Sequence, residues 1–283
     1  WKKKYQCEYR KHIKPILLIF GTSLASSLYM TMDTTMLGAM KGDTATGIYT
    51  AAVKINSVIN TLLNTISATI LPRVSYYLGN GLKQEFQKLM QTSVDILFMA
   101  AMPIAIGMMC VSDILIVVFS GPEFVAGSLA AKILSVKLVF GAINRVLAYQ
   151  VCIPYKKDKE VLISTIAGAI VNLIANAILI QFYSVTGAAV ATLLSEMVVF
   201  GILTIYSREV FETKHLYKRL PIYFIASIWF FAVRWIVNGC VSNIILELLL
   251  TVCICALGYF ILLLILKDPY LTECMKKIYK KVK

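Results

Sequence analysis

Residues 51–73 read AAVKINSVINTLLNTISATILPR. The stretch is long enough to cross a bilayer, since roughly 20 residues span about 30 Å of hydrocarbon. Yet it carries Lys54, Asn56, Asn60 and Asn64, with Ser57, Thr61, Thr65 and Ser67 between them. On a helical wheel Ile55, Ile59, Leu62, Leu63, Ile66 and Ile70 form one narrow apolar stripe, and the polar residues take most of the remaining face. The stripe suits lipid. An unpartnered amide in hydrocarbon costs several kcal/mol, so the wide face is expected to meet other helices or water. Asn, Ser and Thr bond across helix interfaces, which accounts for two or three such residues. This many, with a lysine among them, points to a water-filled cavity.

The rest of the chain sets that helix in a membrane. Of 283 residues, 59% are hydrophobic and only 15% charged, against nearer 25% in soluble domains, and the mean hydropathy is +0.76. Eight candidate spans follow, approximately 15–38, 47–71, 91–111, 124–153, 161–183, 185–206, 221–238 and 243–266. The fold class expected is all-α, a polytopic membrane helix bundle. A short apolar piece, DILIVVF at 113–119, ends at Gly121-Pro122. It is too short to cross and is expected to lie in the interface or to begin the next helix.

Lys and Arg residues crowd alternate connections and both ends, while Lys41 stands alone in the others. By the positive-inside rule both ends of this chain face the cytoplasm. The same distribution explains the net charge of +13 without nucleic acid, because these charges sit beside the membrane. The chain begins at Trp1, and its basic start has no cleavable leader pattern, so it reads as a piece whose beginning is missing.

The seven cysteines have no metal-ligand spacing and read as small apolar fillers. There is no GxGxxG, Walker, GxSxG or HExxH pattern. The expectation is therefore no enzyme, no catalytic residue, no metal and no cofactor. The informative residues are charges and amides inside spans. Asp33 and Lys54 match in depth and suit a salt pair; Arg234 and Glu247 do likewise. Lys137, Asn144 and Arg145 share one side of the fourth span, and Asn172 and Asn176 share a face of the fifth. Glu196 falls near mid-membrane in the sixth, where a charge is rare and marks either function or a buried pair, here with Arg145. Deep cations outnumber deep carboxylates, which favours an anionic passenger; a phosphate suits Arg and Lys.

The ordered segments MDTTMLG (32–38), GIYTAAVKI (47–55), ILPRVSYYLG (70–79), FSGPEF (119–124), INRVLAYQVCIPYKKDKE (143–160), GAIVNLIANAILI (168–180) and GAAVATLLSE (187–196) resemble the oligosaccharide flippase, or polysaccharide exporter, family. That family lies within the multidrug/oligosaccharidyl-lipid/polysaccharide (MOP) exporter superfamily. The resemblance implies two six-helix lobes facing a central cavity. Residues 1–206 would form the C-terminal lobe with its basic lead-in, residues 207–283 two extra helices and a basic tail, and the N-terminal lobe would be absent from this chain. It implies alternating access and an undecaprenyl-pyrophosphate-linked sugar repeat unit as passenger, for capsule, O-antigen or exopolysaccharide synthesis at a bacterial or archaeal plasma membrane. Polysaccharide polymerase and glycosyltransferases are the implied partners beside membrane lipid. Lys54 and Arg145 would hold the pyrophosphate; Asn56, Asn60, Asn64, Asn172 and Asn176 would meet the sugars; Lys137 and Asn144 would line the same cavity. Asp33 and Glu196 would couple to a proton or sodium ion or form charge pairs. A peptidoglycan-precursor flippase shares this anionic cavity. A multidrug exporter would prefer an acidic one, and a membrane glycosyltransferase or polymerase would need a longer loop than the residues between spans provide.

Overall fold

The computed structural model describes residues 9–211 and 219–272, all of whose regular elements are helices. The lysines expected at 1–8, 212–218 and 273–283 lie outside them. In chain order the helices are α1 (Tyr9–Lys41), α2 (Asp43–Ala68), α3 (Leu71–Gly79), α4 (Lys83–Ser120), α5 (Ser128–Arg145), α6 (Asp158–Ser207), α7 (Leu220–Ile228), α8 (Phe230–Cys240) and α9 (Ile244–Ile265). Five helical stretches are long and apolar enough to cross a membrane: Lys83–Ser120, Pro122–Tyr155, Asp158–Ser207, Leu220–Cys240 and Ile244–Ile265. The 33 and 26 residues of α1 and α2 are also long enough. The chain is a multi-pass membrane protein.

Fifty residues of α6 would stretch about 75 Å if straight, more than twice the hydrocarbon thickness. The helix instead reverses at Ser184, whose φ of 49° and ψ of −124° are non-helical. A Cβ on Gly187 would lie 2.2 Å from the carbonyl oxygen of Leu179. Residues eight apart touch only if the chain has folded back, so α6 is two arms of a hairpin, matching the fifth and sixth expected spans. Deeper in the hairpin, a Cβ on Gly168 would strike Val199 at 2.5 Å.

Two expectations need correction. The DILIVVF piece neither lies in the interface nor starts the next helix: it is the last part of α4, which runs unbroken to Ser120 and stops at Gly121 (φ 105°). Among the described residues of the apolar stripe of α2, Leu62 is exposed, but Ile55, Ile59 and Leu63 face the bundle rather than lipid. Leu63 is buried in one core with Ile59 packed against it, and Ile55 packs against a second core. The exposed face carries Lys54, Ser57, Val58, Thr61, Leu62 and Thr65. Packing within the bundle claims the stripe because four other helices, α1, α4, α5 and α6, press on α2.

One core lies at the end of the bundle near Gly42 and Ser184, built from Leu37, Tyr49, Ile116, Leu134 and Ile180. The larger core joins α4, α5 and α6 to α7–α9 through residues such as Phe98, Leu147, Tyr223, Phe230 and Tyr259. Arginines fasten α7–α9 to α4 at both ends. Arg219 bonds Asp268 (3.1 Å) and approaches Asp95 (3.7 Å). Arg234 pairs with Glu247, as its depth led us to expect, and also reaches Asp113 at 3.4 Å.

Candidate functional site

The polar helices enclose a cavity of about 340 Å³ walled by α2, α5 and both arms of α6. Asn60 and Asn64 come from α2; Lys137, Gly141, Asn144 and Arg145 from α5; Ser164 and Thr165 from the first arm of α6; and Glu196 from the second. Directly after Arg145 the helix widens into a π-helical turn, Val146–Cys152, which sets Ala148 and Tyr149 on the same wall. Such turns frequently interrupt α-helices at functional sites.

The charges do not pair as their depths alone suggested. Glu196 pairs with Lys137 (Nζ to Oε1 3.6 Å), not with Arg145. Asn144 Nδ2 donates to Glu196 Oε2 at 2.7 Å and to its backbone carbonyl at 3.0 Å. The Arg145 guanidinium donates to Asn60 Oδ1 at 3.4 Å, while its Nε is buried with no partner. Asn64 Oδ1 and Asn144 Oδ1 are likewise buried without partners. Groups of this kind beside a cavity call for water or a ligand.

Other polar residues are spoken for. Ser57, Thr61 and Thr65 bond back to carbonyls of their own helix, those of Lys54, Ser57 and Thr61. Much of the polarity of α2 thus needs no outside partner. Asn56 is buried against α5, donating to the carbonyls of Ala52 and Ala131. Lys54 is exposed and lies outside the cavity wall.

Asp33, expected beside Lys54, heads a separate buried cluster. Its Oδ1 accepts from Asn172 (2.9 Å) and Asn176 (2.6 Å), and its Oδ2 from Tyr49 (2.9 Å) and Thr192. The hairpin makes this possible, because Asn176 and Thr192 come from opposite arms. Asn172 and Asn176 therefore turn to Asp33 rather than to the cavity. Asp33 is 5% exposed, and no Lys or Arg among the described residues contacts it. Asn176 Oδ1 remains a buried oxygen with no partner.

Sequence reasoning missed Tyr49, Thr192, Tyr149, Ser164 and Thr165. Tyr149 stands one turn beyond Arg145, and Thr165 two turns before Asn172, spacings that carried a signal. Tyr49 and Thr192 carried none, since only the folded hairpin brings them together.

Buried amides and cations surround a cavity in an all-helical membrane bundle, with a hairpin closing one side. Residues 9–78 match the model of the polysaccharide biosynthesis protein family. A Haloferax volcanii protein named as a low-salt glycan biosynthesis flippase, Agl15, is 24% identical over 62% of this chain and 37% of its own. An Escherichia coli K12 protein named as an O-antigen transporter is 26% identical over 68% of this chain and 46% of its own. The fold is similar to that of the lipid II flippase MurJ in an inward closed conformation, with a TM-score of 0.77 over 95% of this chain and 57% of MurJ at 18% identity. The chain is thus similar to polysaccharide biosynthesis proteins in sequence, and to a lipid flippase in fold. It spans less than half the length of the curated relatives it matches.

Proposed function

We propose that this chain is the C-terminal lobe, with two further helices, of a flippase that moves a lipid-linked oligosaccharide across the plasma membrane by alternating access. The observation that carries the reading is the cavity at Lys137 and Arg145, where buried polar atoms of Arg145, Asn64 and Asn144 have no protein partner. Cations suit a lipid pyrophosphate, and amides and hydroxyls suit sugars. The headgroup needs such a path because its charges and hydroxyls would lose their water in hydrocarbon. Lys54, exposed with Ser57, Thr61 and Thr65 on one face of α2, extends this polar surface toward a facing lobe. Both ends of the chain lie in the cytoplasm in this reading, where glycosyltransferases assemble the passenger; a polymerase receives it outside.

Asp33 supplies the coupling site. An ionised carboxylate buried without a counter-charge is costly, and a proton or sodium ion provides that charge. Asn176 Oδ1 and the Thr192 hydroxyl offer sodium further oxygens. In the experiment that tests the whole reading, the full polypeptide in liposomes is given oligosaccharide linked to a prenyl pyrophosphate, with or without a sodium or proton gradient. Transfer between leaflets is expected in wild type and at least ten-fold slower transfer in Lys137→Ala and Arg145→Ala. Movement of lipid II but not of the oligosaccharide would assign the cavity to peptidoglycan precursor, and variants as active as wild type would refute the site.

A further inference from the structure

We propose that Glu196 is a resident anion that holds Lys137 in the empty cavity and yields it to the ligand's phosphate on binding. The inference rests on the anionic cargo proposed above and assigns Glu196 a positioning role in loading and release.

The contacts around the carboxylate divide into a firm half and a loose half. Asn144 bonds Oε2 at 2.7 Å and the Glu196 backbone carbonyl at 3.0 Å, which fixes the carboxylate on the cavity wall. Oε1 meets Lys137 at 3.6 Å, well beyond the usual 2.7–2.9 Å of a tight charge-assisted bond. Lys137 is thus held by attraction rather than locked, and its ammonium is a compact charge on a flexible stem, free to re-aim. Its side chain keeps 23% of its surface open.

Space and field agree with this. Across from Oε1 stands Gly141, where an added Cβ would lie 3.6 Å away. Glycine therefore leaves room beside the carboxylate on the wall that also carries both cations. Glu196 acts electrostatically on Arg145 as well. A phosphate entering between the cations meets one carboxylate that already partly neutralises them. Loading exchanges the Glu196–Lys137 contact for a phosphate–Lys137 contact, and release reverses it. Without Glu196 the cavity would present two uncompensated cations, hold phosphate tightly and let go slowly.

The test is binding of inorganic pyrophosphate to the purified full polypeptide by titration calorimetry at fixed ionic strength. Wild type is compared with Glu196→Gln, Lys137→Ala and the double variant. Glu196→Gln is expected to bind about ten-fold tighter, with the gain falling below about three-fold in the Lys137→Ala background. Should Glu196→Gln fold poorly, Glu196→Asp, whose shorter carboxylate withdraws from Lys137, is expected to bind about three-fold tighter. Binding unchanged or weakened in the Glu196 variants overturns the inference. So does an equal gain with and without Lys137, which would make Glu196 a general field. If wild type binds and Lys137→Ala binds more weakly while Glu196 variants gain nothing, only this inference falls. If no form binds pyrophosphate, the anionic-cargo reading falls with it.

Discussion

Removing the Asp33 carboxylate with Asp33→Ala would break four hydrogen bonds at once: those from the amides of Asn172 and Asn176 and from the hydroxyls of Tyr49 and Thr192. In water-soluble proteins a buried group left unsatisfied costs about 1–3 kcal/mol. Measured side-chain hydrogen bonds within membranes average nearer 0.6 kcal/mol, because the unfolded state in the membrane also finds partners. Four bonds at that lower figure give about 2.4 kcal/mol. The residual partners are mutual: Asn176 still donates to Asn172 at 3.0 Å, and Tyr49 still meets Thr192 at 3.2 Å. We therefore expect about 2–3 kcal/mol, below the roughly 4–12 kcal/mol that four unsatisfied groups would cost in a water-soluble protein. For a chain of this size that is a fall in Tm of roughly 3–5 °C. Asp33→Asn, which keeps the volume and an oxygen acceptor, should lose less than half as much and should abolish any stabilisation of the protein by sodium. The assay is thermal unfolding in detergent followed with a thiol-reactive dye, since Cys110, Cys152 and Cys255 are buried until the bundle opens. A Tm for Asp33→Ala within about 1 °C of wild type would refute the idea that this cluster holds α1, α2 and the hairpin together.

Three further outcomes follow from the packing. Gly187→Val should destabilise by about 3 kcal/mol or more, because its Cβ would press on backbone of the Leu179 turn, and circular dichroism melts would show it. Arg219→Ala should loosen the last helices from α4 by leaving Asp95 and Asp268 without their cation, costing about 1–3 kcal/mol, read as faster amide exchange in α7. Burial pushes the Tyr270 hydroxyl up to about 12, and its bond to Asp95 adds to the shift. The folded state thus favours the neutral phenol: that contribution is full below pH about 10, the ordinary tyrosine value, and is lost as pH rises through about 12. A 295 nm absorbance titration of wild type minus Tyr270→Phe should place that ionisation near 12.

The helices were legible from hydropathy because each must satisfy its own backbone in lipid. The break between the fifth and sixth spans was legible as well, since no helix of fifty residues fits a bilayer. What hydropathy could not settle was direction around each helix. The stripe from Ile55 to Ile70 reads equally well as lipid-facing or core-facing, and only the neighbours of α2 decide. Depth alone likewise could not choose Glu196's partner, since Lys137 and Arg145 stand two turns apart on one side of α5 and a side chain from α6 can reach either. Asp33 illustrates the limit in another way. Its partners lie 16 to 159 residues away in sequence, two of them hydroxyls that look unremarkable along the chain. Lys54 was matched to it by depth, but Asp33 is buried and Lys54 is exposed.

The Ser184 reversal also bears on how the chain enters the membrane during synthesis. The first arm of α6 carries Asn172 and Asn176 fully buried, while the second carries Thr192, Ser195 and Glu196. Either arm threaded singly into lipid would expose these groups. Because the turn is formed by residues only eight apart, the arms meet as soon as both have left the ribosome, at almost no loop-closure cost. Each can then screen the other's polar groups on the way in, so the hairpin, rather than the single helix, becomes the unit of insertion.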